Sequence, residues 1–230
     1  IMLKINEIVN INHTISKDLF ISSGDISKIM NNIGEWIIKI GNTLDKTKYI
    51  RQDNNIWVSK TATIDPSAKI VGPAIIDKNA EIRHCAYLRP NVIVGKNCVI
   101  GNSCELKNSI VFDNCQIPHF NYVGDSIIGY HSHLSAGVIV SNQKLDKSCI
   151  TLKKDNTIIN TNLNKMGAII GDYVNIGCNS VIFPGTIINS NATIYPLTRV
   201  RGTIEANTIV KNETDIIRKE AQKWNLEQTE

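Results

Sequence analysis

Every sixth residue from Val58 to Leu106 is aliphatic: Val58, Ile64, Ile70, Ile76, Ile82, Leu88, Val94, Ile100 and Leu106. With hydrophobic residues at 42% of a 230-residue chain, nine such hits in a given register arise by chance about four times in ten thousand. Four residues beyond each stands a small or β-branched residue: Ala62, Ala68, Ala74, Ala80, Ala86, Val92, Cys98, Cys104. The position just after is often Gly or polar, as in Asp65, Asp77, Gly95 and Gly101. A helix would scatter residues six apart around its cylinder. Ordinary strand alternation repeats every two residues and needs no such punctuation. A hexad instead suits a solenoid of short parallel strands whose aliphatics point inward. Three hexads then close one triangular coil, and matching aliphatics stack at the strand spacing of roughly 4.8 Å.

The register slips by one at Val111 (Val111, Ile117, Val123) and again at Ile128 (Ile128, Leu134, Val140). It resumes at Ile170 and runs through Ile176, Ile182, Ile188, Ile194 and Val200, which predicts about seven coils. Between them, about residues 141–167, the polar segment SNQKLDKSCITLKKDNTIINTNLNKMG breaks the pattern. It reads as an inserted loop, either functional or a tolerated surface excursion.

A β-solenoid must cover its open ends. Residues 1–56 are expected to form a helical cap: Ser23-Gly24-Asp25 can start a helix that puts Ile26, Ile29, Met30, Ile33, Ile37 and Ile40 on one face. Residues 57–212 form the solenoid. Residues 213–230 read as a C-terminal helix, with Ile216, Ile217, Ala221 and Trp224 available for packing.

A formal charge of +4 without a basic stripe gives no reason to expect nucleic acid as a partner. No run is long and apolar enough for a membrane span, and the first residues lack a signal-peptide layout, so a cytoplasmic protein is expected. The six cysteines show no CxxC pair and read as buried small hydrophobes in a reducing compartment.

One stretch interrupts the aliphatic monotony: CQIPHFNYVGDS, Cys115 to Ser126. If Ile117 and Val123 point inward, His119 falls near a corner of the prism and Tyr122 close to the next turn. Corners are also where neighbouring prisms would meet in a trimer. His131 and His133, one coil further on, are candidates for the same region. An exposed imidazole can take a proton from an amine or hydroxyl. A structurally bonded histidine or a three-histidine metal site are the alternatives, although no carboxylate spacing supports a metal.

The hexads resemble those of the bacterial transferase hexapeptide family. The narrower run YLRPNVIVGKNCVIGNSCELKNSIVFDNCQIPHFNYVGDSIIGYHSHLSAG, Tyr87 to Gly137, resembles the acetyltransferase domain of bifunctional N-acetylglucosamine-1-phosphate uridyltransferase. The segment from Lys165 to Ile188 resembles its continuation. The resemblance implies an all-β left-handed parallel β-helix, usually a homotrimer, that moves an acetyl group from acetyl-CoA to the amine of an amino-sugar 1-phosphate. His119 matches the general base. Arg89 in LRP and Lys107 in ELK match the pair that receives the phosphate, and Tyr122 and Asn142 match two further sugar-phosphate contacts. His133, Ala136, Gly137 and Cys178 fall on the acetyl-CoA path, where the family has an asparagine at His133 and often a serine at Cys178. Tyr195-Pro196-Leu197 replaces small residues and is expected to narrow that path.

The resemblance calls for no metal, and nothing in residues 1–57 resembles the glycine-rich loop of a nucleotidyltransferase, so no nucleotide-sugar synthesis is expected of this chain. The alternative to catalysis is a trimeric hexapeptide-repeat module that only binds a sugar phosphate or nucleotide sugar.

Overall fold

The computed structural model describes residues 3–154 and 157–219. Three sheets, here A, B and C in the order the chain visits them, make the faces of a left-handed triangular prism. Sheet A begins with Ile56–Ser59, sheet B with Thr63–Ile64 and sheet C with Lys69–Ile70. Sheets A and B each hold nine strands, eight of them in parallel register, and sheet C holds seven. The column therefore has about eight turns, not seven, because the aliphatic spacing continues past Val200 to Ile204 and Val210 after one more slip.

The inward row of sheet A runs Val58, Ile76, Val94, Val111, Ile128, Ile170, Ile188, Ile204, in register from coil to coil. Together with the equivalent rows of B and C it forms one continuous core. From the second coil on, the A/B corners take a left-handed residue once per coil. Asn79, Asn97, Asn114, Asn191 and Asn207 supply it with φ between 55° and 62°. Asparagine tolerates that conformation, and its amide also reaches the next coil: Asn79 Nδ2 donates to Asn97 Oδ1 at 3.1 Å, and Asn97 Nδ2 to Asn114 Oδ1 at 2.8 Å.

Sheet A differs from the other two because both its faces are buried. Its outward row, Trp57, Ile75, Ile93, Ile110, Ile127, Ile169 and Ile187, lies under a second core. That cover comes from α1 (Lys17–Ser23), α2 (Ile26–Gly41) and the segment after residue 149. Asp25 caps α2 by accepting the Ser27 N–H at 2.8 Å, and Ile26, Ile29, Met30, Ile33 and Ile37 are buried. The N-terminal helices thus lie along the flank of the prism, where a cap over its end was expected. At the first coil the edge of sheet A is met by Tyr49–Gln52, antiparallel to Ile56–Ser59.

The inserted segment is no free loop. Thr151–Lys154 and Thr157–Asn160 pair as an antiparallel hairpin, and Ile150, Leu152, Leu163 and Met166 are buried beside the outward row of sheet A. At the other end Ile216–Arg218 is a strand, antiparallel to Thr208–Val210, where a helix was expected. Its alternating partners continue a sheet edge that a helix would leave unpaired. Residues 220–230, the rest of that expected helix, lie outside the described residues. Among the described residues no helix is long and apolar enough to cross a membrane.

The cysteines divide evenly. Cys98, Cys104 and Cys115 are buried, and their thiols point at carbonyls of Phe112, Ile117 and Gly129 at 2.9, 3.2 and 2.9 Å. Cys85, Cys149 and Cys178 are exposed, against expectation, because they sit at corners or in the insertion, where side chains turn outward.

Candidate active site

Sheet C presents one cluster. Tyr87, Glu105, Tyr122 and Ile139 form an outward row in register, and Lys107 pairs with Gly124. Arg89 Nη1 donates to Glu105 Oε1 at 2.9 Å. Lys107 Nζ donates to both oxygens of Asp125, at 3.2 and 3.1 Å. Asn108 Nδ2 donates to Asp125 Oδ1 at 3.0 Å, and Asn142 Nδ2 donates to Asp125 Oδ2. Asp125 is thus the hub that holds Lys107 and Asn142 together, and its side chain is only 6% exposed. Both cations assigned to a phosphate therefore carry a carboxylate partner.

Tyr122 leans over Gly124. A Cβ on Gly124 would lie 2.6 Å from the Tyr122 hydroxyl and 2.7 Å from Asn142 Nδ2, so only glycine leaves room for both. Burial pushes the Tyr122 phenol above its ordinary range, and the Asp125 and Glu105 carboxylates push it the same way. The hydroxyl stays protonated at neutral pH and is available as a donor.

The second group lies on the edge between sheets B and C. His84, Asn102, His119, Ala136, Cys178 and Pro196 follow one another there, one per coil. From Asn102 onward the residue after each donates its N–H to the carbonyl one coil earlier, as Phe120 does to Asn102, Gly137 to His119, Asn179 to Ala136 and Leu197 to Cys178, these four at 2.9 Å. Each of those next residues has positive φ, which turns the chain and leaves the edge residue at the rim. His119 is exposed. Its backbone is held by the buried Asn121, whose Oδ1 accepts the His119 N–H at 3.1 Å while Nδ2 donates to Ser135 O at 2.7 Å. The frame is fixed and the ring faces outward.

His133 lies on the outer face of sheet B, in register with Gln116, half-buried. Burial lowers its pKa, and the charge of nearby His119 lowers it further. His133 is therefore neutral at neutral pH. His131 lines a cavity on the outer face of sheet B together with Gln116, Pro118 and His133, but it does not share the edge of His119. It has φ of 57° at the A/B edge and stacks on Tyr173, ring centroids 5.5 Å apart. The three histidines do not converge, and among the described residues no group of three or more His, Cys, Asp or Glu is placed to hold a metal ion.

Of the residues assigned to the acetyl-CoA path, Ala136 and Cys178 share the edge of His119, and His133 stands beside it. Gly137 N–H is already committed to the His119 carbonyl, whereas Ala136 N–H has no acceptor among the described residues. Pro196 occupies the next edge position, with Tyr195 and Leu197 exposed on either side. Glu105, Asn108, Gly124 and Asp125 were not assigned from sequence. The Glu of ELK and the Gly-Asp after Tyr122 were the available signals.

A model of the C-terminal domain of GMPPB matches residues 70–164. The bifunctional sugar-1-phosphate nucleotidylyltransferase/acetyltransferase of Sulfurisphaera tokodaii is 33% identical over 189 residues, covering 74% of this chain and 47% of that protein. The chain therefore resembles the hexapeptide-repeat transferases, whose left-handed β-helix it shares. The bifunctional protein GlmU of a Methanococcus maripaludis strain is 34% identical over 185 residues, covering 80% of this chain and 44% of its own length. The chain thus spans less than half the length of these two relatives. Among solved structures, the polySia-specific acetyltransferase NeuO aligns over 74% of this chain and 85% of its own, with a TM-score of 0.46 and 17% identity.

Proposed function

We propose that the chain transfers an acetyl group from acetyl-CoA to the amine of an amino-sugar 1-phosphate of the glucosamine 1-phosphate kind, with His119 as general base. One observation carries this reading: an outward imidazole on a fixed frame shares its edge with Ala136 and Cys178 and stands one corner from the Arg89, Lys107, Tyr122 and Asn142 cluster. The name of the Sulfurisphaera tokodaii relative, which includes sugar-1-phosphate and acetyltransferase, supports the substrate class.

In this mechanism His119 takes a proton from the sugar amine as its nitrogen attacks the thioester carbonyl. Ala136 N–H is the backbone donor offered to the oxyanion that develops. The carbon–sulfur bond then breaks, and the departing thiolate takes the proton from the imidazolium. Arg89 retains N–H groups beyond the one given to Glu105, and with Lys107 and the protonated Tyr122 it binds phosphate oxygens. No step requires a metal.

We further propose that the enzyme works in the cytoplasm as a homotrimer. Sheet A is covered by the chain's own helices and hairpin, so sheets B and C and their shared edge are left for subunit contacts and for a groove containing His119. Pro196 and Leu197 at the far end of the edge favour the alternative, a trimeric module that binds a sugar phosphate or nucleotide sugar without catalysis. Release of free thiol from acetyl-CoA with glucosamine 1-phosphate distinguishes the two. The wild type should turn over, and His119→Ala should be slower by at least about a hundredfold. Equal rates in both proteins would remove His119 from its role.

A further inference from the structure

The His119 edge carries a second histidine, two coils earlier and roughly 10 Å away at the strand spacing. There Asp65, Ser67, His84 and Cys85, from two adjoining coils, form a continuous chain of contacts. Ser67 Oγ donates to Asp65 Oδ1 at 2.6 Å and lies 2.8 Å from His84 Nδ1. His84 Nε2 lies 3.3 Å from Cys85 Sγ.

Counting hydrogens settles which way each bond points. A serine hydroxyl has one hydrogen. The Ser67 hydroxyl gives it to Asp65, and that bond holds the carboxyl below its usual range, so Asp65 is an ionised acceptor at neutral pH. Ser67 Oγ already accepts the Cys85 N–H at 2.9 Å, and toward His84 it can only accept again. His84 Nδ1 must be the donor. A neutral imidazole has a single N–H, so Nε2 carries the lone pair and receives the Cys85 S–H. A nucleophile, a base that takes its proton, and a third group that orients the base are the parts of an activated thiol. Ser67, His84 and Cys85 are all exposed, so a reagent can reach the sulfur.

We propose that Cys85 is a second reactive centre: a nucleophilic thiol, with His84 as its general base, that takes small soft electrophiles at a carbon bearing a good leaving group. As the sulfur–carbon bond forms, the thiol proton passes to His84 Nε2, and the leaving group departs with the electron pair of the broken bond. The imidazolium then returns its proton to water or to the leaving group. Cys149 and Cys178 serve as internal controls. Both are exposed, Cys149 Sγ contacts Asn164 Oδ1 at 3.3 Å, and among the described residues neither thiol meets a histidine nitrogen.

The test treats the whole chain with limiting iodoacetamide at pH 7 and follows each cysteine by peptide mass spectrometry. Here the sulfur–carbon bond replaces carbon–iodine and iodide leaves. Cys85 should be alkylated at least about tenfold faster than Cys149 and Cys178. His84→Ala should bring Cys85 down to their rate without changing theirs. The His84 side chain is 67% exposed, so its removal leaves the core intact. Equal alkylation of the three thiols in the wild type, or an unchanged Cys85 rate in His84→Ala, overturns the proposal.

Discussion

Lys107 is bound through its ammonium to both oxygens of Asp125, which lies one coil further along the prism. The carboxylate is shielded and the Lys107 side chain is 24% exposed, so one end of the pair is fixed and the other can meet a ligand. The pair places a cation on the rim of sheet C at the cost of neutralising part of its charge. Arg89 and Glu105 form a second cation–carboxylate pair one coil earlier, with both side chains more exposed.

Asp125→Asn should therefore do more damage than removal of an exposed ion pair. It leaves Lys107 half-buried without its counter-ion, and we expect a loss of about 3 kcal/mol in urea unfolding. The KM for the sugar phosphate should rise as Lys107 and Asn142 lose their common anchor. A variant as stable as the wild type would show that Asp125 is not the hub.

Gly124→Ala tests the placement of Tyr122. The new methyl group would sit 2.6 Å from the phenol oxygen, and the ring must move. We expect KM for the sugar phosphate to rise at least about tenfold, with unfolding little changed. Tyr122→Phe should show the same direction with a smaller effect.

His133 gives a pH signature. Its pKa is lower in the folded chain than in the unfolded chain, through burial first and His119 second. The unfolded state then binds more protons in the window below the ordinary histidine value. The stabilising contribution of neutral His133 is complete above about pH 6.5 and is lost as pH falls toward the depressed folded value. His133→Gln should lose less stability than the wild type between pH 7 and 5, measured as urea midpoints. Parallel midpoints over that interval would contradict the shift.

Ile93 and Ile158 separate covered from uncovered aliphatics. Ile93 lies in the outward row of sheet A beneath the helical cover, and Ile158 on the hairpin is 72% exposed. Ile93→Ala should cost about 3 kcal/mol, and Ile158→Ala less than about 0.5 kcal/mol. Similar small losses in both would mean that the helices do not seal sheet A.

The spacing of six was enough to infer the coil and the corner position of His119, because one inward side chain per short strand is a local rule. It also carried a sign of the covered face that went unread. Sheet A strands such as Ala74–Ile76, Val92–Val94 and Ala168–Ile170 are apolar at all three positions, as strands buried on both faces are. The C-terminal strand was misread because Ile216 and Ile217 fit a short helix as well as an edge strand.

What the linear chain decided is therefore the column: its period, its slips, and the placing of a histidine at the rim. Packing decided the rest. It laid α2 along sheet A, where Asn108 Nδ2 reaches Met30 O across 78 residues, and it gave Arg89 and Lys107 their carboxylates. It also sent His131 to a different edge from His119. A repeat fixes each coil through contacts within the strand and with its nearest neighbours. Which side chains meet across an edge depends on slips of single residues and on distant segments that cover one face, and no local period encodes those.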